Sequence, residues 1–267
     1  FLGRAFEALE AVETAAVVIG ADAGIGAVTR RAMRAADGLC RMVIVNKIDL
    51  QPQRIAGLMT ELTEMFGKVC LPINLPSPQG DRVIDCFFSP ELGAETAFSS
   101  VAAAHDAVVE AALRQGALIP VCFVSGTTGA GTRELLDVIA KLMPDPTEGN
   151  PPRFFRSQGA EAAAVEVVAD PNRHAVAHVF EIVNDPFRGK LAIFRLYQGT
   201  IAPGSQLFIG DARKPFKVSH LLRLQGKHQV DVERAIAGDI CAVARVDSIT
   251  RDAVLHDSHD EDQIHLH

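Results

Sequence analysis

The chain has 267 residues and a mass of 28.6 kDa, and its 48% hydrophobic and 22% charged residues suit an ordinary globular protein with one large or two ordinary domains. A formal net charge of −7 argues against a free-standing nucleic-acid-binding protein, although a local basic strip is compatible with docking on RNA. The five cysteines form no Cys-x-x-Cys pair, so we expect a cytoplasmic protein without disulfides. Neither a signal peptide nor a bilayer-length apolar stretch is found, so we expect no membrane partner.

The first half of the chain alternates helix and strand signals. Helices are predicted at residues 2–11, 28–36 and 55–66, and short buried strands at residues 15–19 and 42–45. Strands separated by helices in this order imply a parallel sheet with right-handed crossovers. The pattern therefore predicts an α/β domain over residues 1–147.

A proline-rich stretch at residues 68–98 breaks this rhythm. It contains two short apolar pieces, residues 69–73 and 83–88, and we interpret it as an insert with a few strands of its own. The alternation then returns with a helix at 101–114, a buried strand at 119–124 and a helix at 132–142. Thr132 is expected to cap the last of these helices.

The second half of the chain has a different pattern. Residues 148–173 are rich in Pro, Gly, Glu and Ala and are predicted to form a linker. Between residues 174 and 258, short segments that alternate apolar and polar residues are separated by turn signals, which is typical of half-buried antiparallel strands. The strand candidates are residues 175–183, 191–198, 206–209, 217–224 and 240–246. This pattern predicts an all-β domain, a small closed barrel, and residues 259–267 are expected to connect it to a further domain.

The tetrapeptide Asn46-Lys47-Ile48-Asp49 directly follows a predicted buried strand, where open α/β sheets bind their ligands. Asp49 can accept hydrogen bonds from the N1–H and N2–H2 groups of guanine, and adenine offers neither donor on that edge. An adenine base would leave a buried carboxylate unpaired, at a cost of about 1–3 kcal/mol or more, so the motif predicts a guanine-binding site. Asn46 is expected to bridge loop and base, and the Lys47 stem to lie along the ring. The simpler alternative is a strand followed by a polar turn.

Two further signatures accompany this motif. Ser125-Gly126-Thr127 follows the strand predicted at 119–124, and the barrel region carries Asp185-Pro186-Phe187 and later Ala237-Gly238-Asp239-Ile240. Between these two barrel motifs, glycines lie at the predicted hairpin ends. Arg195 lies within the predicted strand between two of these glycines. In this order, the motifs resemble the translational GTPases, and in particular elongation factor G and its close bacterial relatives. The resemblance covers nearly the whole chain.

The resemblance implies both a fold and a function. The fold is a partial P-loop-type GTPase domain with an insert, followed by the antiparallel β-barrel called domain II. The implied protein is a monomer that binds GTP or GDP, docks on the ribosome and couples GTP hydrolysis to a translocation-type step. In this family the loop at Ser125, Gly126 and Thr127 offers a backbone N–H to guanine O6, and the serine supports the aspartate of the base-reading motif. Gly126 stands where the family usually has alanine.

Several parts of such an enzyme are missing from this sequence. Neither the Gly-x-x-x-x-Gly-Lys-[Ser/Thr] phosphate loop nor the Asp-x-x-Gly loop occurs, and neither glycine-rich loop, 20–26 or 126–132, contains a Gly-Lys step. Because phosphoryl transfer depends on these groups, no catalytic residue is assigned in this chain. The family pattern places them upstream of Phe1, so Mg²⁺ is expected only in the intact protein. The missing initial methionine agrees with a chain that begins inside a longer protein.

Basic residues concentrate in the barrel region, and the resemblance implies that this domain contacts ribosomal RNA. Arg188, Lys190 and Arg195 are the candidates for facing the RNA, and the alternative is a solvated sheet face. Five more basic residues belong to the same group: Arg213, Lys214, Lys217, Arg223 and Lys227. The acidic, histidine-containing C-terminal stretch matches no metal-ligand spacing, so a connector is favoured and no metal site is assigned.

Other functions are compatible with parts of the pattern. A ribosome-docking module without nucleotide hydrolysis would keep the barrel and a relic of the GTPase domain. A release-factor or ribosome-protection relative would share the same motifs. A dinucleotide-dependent enzyme is disfavoured, because no Gly-x-Gly-x-x-Gly follows the first predicted strand.

Overall fold

A computed structural model of the chain describes residues 2–115, 118–148, 154–158, 161–226, 228–258 and 264–266. The α-helices are α1 (Leu2–Leu9), α2 (Ala27–Ala35), α3 (Ile55–Phe66), α4 (Val101–Gln115) and α5 (Thr132–Leu142). The first strands are β1 (Thr14–Gly20), β2 (Cys40–Asn46), β3 (Cys70–Pro72), β4 (Asn74–Pro76), β5 (Val83–Asp85), β6 (Ile119–Phe123), β7 (Phe154–Gln158), β8 (Glu161–Val165), β9 (Val176–Asp185) and β10 (Gly189–Gln198). The remaining strands are β11 (Thr200–Ile201), β12 (Gln206–Ile209), β13 (Phe216–Lys217), β14 (Leu221–Gln225), β15 (His228–Asp231), β16 (Ala235–Ile236), β17 (Ile240–Ala244), β18 (Val254–His256) and β19 (Ile264–Leu266).

The chain divides into two compact units. The α/β unit is Thr14–Met143, and the β unit joins Phe1–Glu13 to Pro144–His267. None of the helices within the described ranges combines the length and the apolar character that a membrane span requires.

A parallel sheet in the order β1-β2-β6-β3 forms the core of the α/β unit. Every residue of β6 is buried, and Val43 and Val45 of β2 are 0% exposed, as expected of strands covered on both faces. Helix α3 buries Ile55, Leu58, Met59 and Leu62, which recur at one helical face. The predicted α/β architecture is confirmed.

The stretch predicted as a separate insert contributes to the main sheet. Strand β3 pairs in parallel with β6, with Cys70 opposite Ile119 and Pro72 opposite Val121. Only β4 and β5 form a two-stranded sheet of their own. Because β3 is a short edge strand that contains a proline, its pattern resembles that of a loop.

The cap predicted for α5 is wrong. The N-cap residue is Gly131 rather than Thr132, with a φ of 75° and no side-chain capping hydrogen bond. A Cβ at Gly131 would collide with the carbonyl oxygen of Phe123, so the close approach of this turn to the end of β6 requires glycine.

The side chain of Asn74, at the start of β4, forms hydrogen bonds with the backbone of β6 that a neighbouring strand would otherwise form. It is 1% exposed. Its Nδ2 donates to the Phe123 carbonyl oxygen at 3.1 Å, and its Oδ1 accepts from the Phe123 N–H at 2.7 Å. One side chain therefore satisfies both backbone groups of the last residue of β6, next to the loop that carries Ser125.

We expect Asn74→Ala to destabilise the α/β unit by about 2–4 kcal/mol, because two buried backbone groups lose their partners. Urea unfolding followed by circular dichroism measures this, since the chain contains no tryptophan. Asn172→Ala is the matched control, because the exposed Asn172 amide donates to the Asp170 carboxylate at 3.2 Å, and it should cost less than about 0.5 kcal/mol. Equal effects of the two substitutions would contradict the role given to Asn74.

The β unit is built on an eight-stranded sheet in the order β13-β12-β18-β9-β10-β17-β14-β15. Its pairings are antiparallel, including β9 with β10 and β10 with β17. The candidate strand at 217–224 is divided into β13 and β14, with the segment between them carrying Val218 into the core. The predicted combination of a parallel α/β domain and an antiparallel β domain is confirmed.

Strands also occur in the stretches expected to be a linker and a connector. Strands β7 and β8 lie within residues 148–173, and β7 pairs with β19 near the C-terminus. Phe154 of β7 is 1% exposed and packs with Val176 and Val254 of the large sheet. Residues 149–153, 159–160 and 259–263 of those stretches, together with Lys227 and His267, lie outside the described residues.

The outer face of the large sheet is covered by the segment that follows α1. Ala11 is 1% exposed and packs against Phe180, Leu191, Ile193 and other apolar residues of β9, β10, β14 and β17. The opposite face carries the larger core cluster, which includes Phe194 and Leu196. Strand β10 is therefore buried on both faces.

Candidate nucleotide-binding site

The loops that follow β2 and β6 lie side by side in the α/β unit. The Val124 N–H donates to the Val45 carbonyl oxygen at 2.8 Å, and the Ile48 N–H donates to the Val124 carbonyl oxygen at 3.3 Å. These bonds extend the parallel pairing of the two strands into their loops. The carboxyl ends of neighbouring parallel strands are where open α/β sheets bind ligands.

Asn46 joins the two loops through its side chain. Its Oδ1 accepts from the Gly126 N–H at 2.9 Å and from the Lys47 N–H at 2.8 Å. Lys47 has a φ of 64°, a left-handed conformation that is uncommon for residues other than glycine. The turn after β2 is thus held in one shape by contacts that depend on Asn46.

Asp49 carries an unpaired acceptor directly after Ile48. Its Oδ1 is buried and has no hydrogen-bond partner among the described residues. The preceding Ile48 is 0% exposed and anchors the motif in the core. A buried carboxylate oxygen without a donor is costly, so this atom is suited to a ligand that supplies N–H groups.

The hydroxyl of Ser125 shapes its own loop. Ser125 is 0% exposed, and its Oγ accepts from the Thr128 N–H at 3.1 Å. The Ser125 N–H donates to the Ala130 carbonyl oxygen at 2.8 Å, which closes the loop. Gly126 and Thr127 are exposed at its tip. The structure gives Ser125 a role in holding the loop that carries the Gly126 N–H.

Gly126 has room for a side chain. A Cβ there would lie 3.6 Å from both the Oδ1 and the Nδ2 of Asn46, which is ordinary van der Waals contact. The departure from the alanine usual in the family is therefore sterically neutral.

Asp22 is a residue of this site that the sequence analysis missed. It lies just after β1, the neighbour of β2, with Gly20 in register with Asn46. The Lys47 Nζ donates to the Asp22 Oδ2 at 2.9 Å, and this hydrogen bond is the main cause that lowers the pKa of Asp22. The glycine-rich loop at 20–26 lacks a phosphate-loop motif, so only its position at the sheet edge could have indicated a role.

Gly20 leaves room for the Asp22 carboxylate. A Cβ at Gly20 would collide with the Asp22 Oδ1, an atom that is buried and without a hydrogen-bond partner in the described part of the chain. The Arg54 guanidinium also binds the Asp22 carbonyl oxygen at 2.6 Å. These contacts orient Asp22, and Asp22 in turn orients the Lys47 side chain.

We expect Asp22→Ala to weaken GDP binding by the full-length protein by up to about fivefold, because an ion pair that is partly exposed contributes little more than this. Isothermal titration calorimetry measures the change. The matched control is Asp37→Ala, which removes an exposed carboxylate paired with Arg41 at 3.4 Å and should leave the affinity unchanged. Unchanged GDP affinity in both variants would refute a positioning role for Asp22.

The three candidates for facing RNA differ in their surroundings. Arg195 is 4% exposed, its Nη1 donates to the Ala11 carbonyl oxygen at 2.7 Å, and its Nη2 pairs with Glu13 at 2.5 Å. This corrects the expectation for Arg195, because its charge is buried and paired. Arg188 pairs with Asp231 at 3.0 Å, and the Lys190 Nζ donates to the Asp247 carbonyl oxygen at 2.7 Å, both near the surface.

Comparisons with known proteins agree with this arrangement. The model of the elongation factor Tu GTP binding domain matches residues 1–145, and that of elongation factor G domain 2 matches residues 174–253. In Mycobacterium tuberculosis strains CDC 1551 / Oshkosh and ATCC 25618 / H37Rv, an elongation factor G-like protein is 25% identical over 307 aligned residues, which cover 92% of this chain and 42% of that protein.

A solved structure gives the same result. A crystal structure of a Thermus thermophilus protein matches with a TM-score of 0.74 and 28% sequence identity, over 97% of this chain and 42% of that one. The chain therefore spans less than half the length of these relatives. The GTP-binding domain model alone covers more than half of the 267 residues. The chain belongs to the family of elongation-factor GTPases, with a GTP-binding domain of the elongation factor Tu type followed by a domain 2 of the elongation factor G type.

Proposed function

We propose that the protein is a GTP-binding translation factor, similar to elongation factor G, that couples GTP hydrolysis to a translocation-type step on the ribosome. The observation that carries this proposal is the buried, unpaired Oδ1 of Asp49, which follows Ile48, the residue whose N–H binds the Val124 carbonyl oxygen just before Ser125. Guanine supplies two N–H donors to such an acceptor, and adenine supplies neither. The site therefore selects GTP or GDP over the adenine nucleotides.

The other residues of the crevice complete base recognition. The Gly126 N–H lies on the loop that in this family approaches guanine O6; in the structure it donates to the Asn46 Oδ1, so it has to exchange or share this acceptor to reach the base. The Lys47 stem is held beside the crevice by Asp22 and is suited to cover one face of the base. Thr127 at the exposed loop tip adds a further contact with the nucleotide.

We propose no role in hydrolysis for the residues that read the base. Neither glycine-rich loop contains the Gly-Lys step that cradles the β- and γ-phosphates. The residues described here bind and select the base, and we derive no step of phosphoryl transfer from them.

We propose that the β9–β10 turn contacts ribosomal RNA. The Asp185 Oδ1 accepts from the N–H groups of Phe187 and Arg188 at 2.9 and 2.8 Å, and these bonds hold the pKa of Asp185 below its usual value. The turn presents Phe187 with 90% of its surface exposed, next to Arg188 and near Lys190. An exposed aromatic ring beside cationic side chains suits base stacking and phosphate contact. The protein then acts as a cytoplasmic monomer on the ribosome.

Nucleotide titration of the full-length protein tests this proposal. We expect micromolar or tighter binding of GDP and GTP, binding of ADP and ATP weaker by about 100-fold or more, and ribosome co-sedimentation that depends on the guanine nucleotide. A ribosome-docking module would bind ribosomes equally with and without nucleotide and would show no affinity for GDP. That outcome would overturn the proposal.

A further inference from the structure

Three side chains from distant parts of the sequence meet on the β unit. His178 lies on β9, Glu10 follows helix α1, and Asp252 lies in the turn before β18. Their ligand atoms, one from each side chain, all lie within 4.8 Å of one another. All three residues belong to the same compact unit.

His178 is the unusual member of this group. It is 2% exposed, and neither ring nitrogen has a hydrogen-bond partner among the described residues. A buried imidazole whose contact with Asp252 is 3.5 Å long is poorly satisfied, which is costly and indicates a function other than packing.

The distance between His178 and Asp252 fits a shared metal ion. The His178 Nε2 lies 3.5 Å from the Asp252 Oδ1, longer than a well-formed hydrogen bond. Ligand atoms bound tetrahedrally to zinc at about 2.0–2.1 Å are separated by about 3.3 Å. This pair is therefore already close to the required separation. Glu10, whose side chain is 42% exposed, places a carboxylate oxygen within 4.8 Å of the ligand atoms of both other residues.

The local charge also favours a cation. The Arg251 guanidinium lies 2.9 Å from Glu7, 3.0 Å from Glu10 and 3.7 Å from Asp252. Three carboxylates therefore share one positive charge. Arg195, opposite His178 on β10, is paired with Glu13. Glu7, Glu10 and Asp252 together carry three negative charges against the single positive charge of Arg251, and a divalent ion would balance this excess.

We propose that Glu10, His178 and Asp252 form a binding site for a divalent transition-metal ion, with zinc as the best-suited ion and water as the remaining ligand. An imidazole with two carboxylates favours zinc over magnesium or calcium, which prefer oxygen ligands alone. The ion fastens the segment after α1 to strand β9 and to the turn before β18. The sequence contains no metal-ligand spacing for this site, because its ligands are far apart along the chain.

Zinc titration of the metal-free chain by isothermal titration calorimetry tests the site, with zinc sulfate as the probe. We expect one site per chain and a rise in melting temperature on zinc addition. Asp252→Asn should weaken binding by about tenfold or more, because it removes a charged ligand. Asparagine tolerates the φ of 64° at this position, and the Asp252 side chain is 63% exposed, so the variant should fold normally. His178→Gln should give the same loss.

Two further variants make the result decisive. Arg251→Gln should tighten zinc binding several-fold, because it removes a competing positive charge. His220→Ala is the matched control, since this exposed histidine lies 3.2 Å from Asp231 outside the group, and it should leave binding unchanged. The proposal is overturned if no binding tighter than about 1 mM is found. It is also overturned if binding survives Asp252→Asn and His178→Gln but is lost in a His265→Ala, His267→Ala variant, which would place the ion on the C-terminal histidines.

Discussion

Asp49→Asn in the full-length protein is expected to weaken GDP binding by about 100-fold or more and to shift the preference from guanine to xanthine. In the proposed site the carboxylate oxygens of Asp49 accept both guanine donors, whereas an asparagine amide would direct its own N–H2 at one of them. Xanthine carries a 2-oxo group in place of the 2-amino group, and this oxygen accepts from the new amide. The exchange of one oxygen for one nitrogen therefore reverses the preferred base.

Competition binding among GDP, xanthosine diphosphate and ADP measures the shift. Gly126→Ala is the matched control within the same crevice, because the structure leaves ordinary contact distance for its Cβ, and it should preserve guanine binding. A variant Asp49→Asn that keeps the guanine preference of the parent protein would remove Asp49 from base recognition. The crevice would then lose the observation on which the proposed function rests.

The position of the proposed base-reading residues at the ends of β2 and β6 was predictable because their signal is local. Four apolar residues before Asn46 predict a buried strand, and the side chains that follow it must lie at its carboxyl end. Ser125 follows β6 in the same way. Since neighbouring parallel strands end at the same edge, the meeting of the two loops follows from the sheet alone. Asp22 was missed because no motif marks the end of β1.

Arg195 shows the limit of such reasoning. It lies in β10 between Phe194 and Leu196, which point into the larger core cluster, so alternation places it on the other face of the sheet. A cationic side chain at such a position predicts a solvated face. The face is covered by the segment that contains Ala11, about 180 residues earlier in the chain, and strand periodicity contains no information about that cover. The group of Glu10, His178 and Asp252 could not be predicted for the same reason, because its members lie far apart along the chain.

The buried position of Arg195 leads to a large expected effect on stability. Arg195→Ala should destabilise the β unit by about 3–5 kcal/mol, because it leaves the carboxylate of Glu13, whose side chain is 18% exposed, without its partner. The Ala11 carbonyl oxygen would lose its donor as well. The Tyr197 hydroxyl donates to the Glu10 carbonyl oxygen at 2.8 Å. This hydrogen bond would remain and would preserve only part of the attachment of the N-terminal segment to the sheet.

Urea unfolding followed by circular dichroism measures the loss, with Arg223→Ala as the control. Arg223 lies on the same sheet and is 3.7 Å from Asp239, but its side chain is 59% exposed, so its removal should cost about 0–1 kcal/mol. Replacing Arg195 and Glu13 together by methionine should recover much of the stability, because no buried charge is then left unpaired. If Arg195→Ala costs no more than Arg223→Ala, the pair does not hold the N-terminal segment on the sheet. The burial of Arg195 would then be a consequence of packing by Ala11 and its apolar neighbours alone.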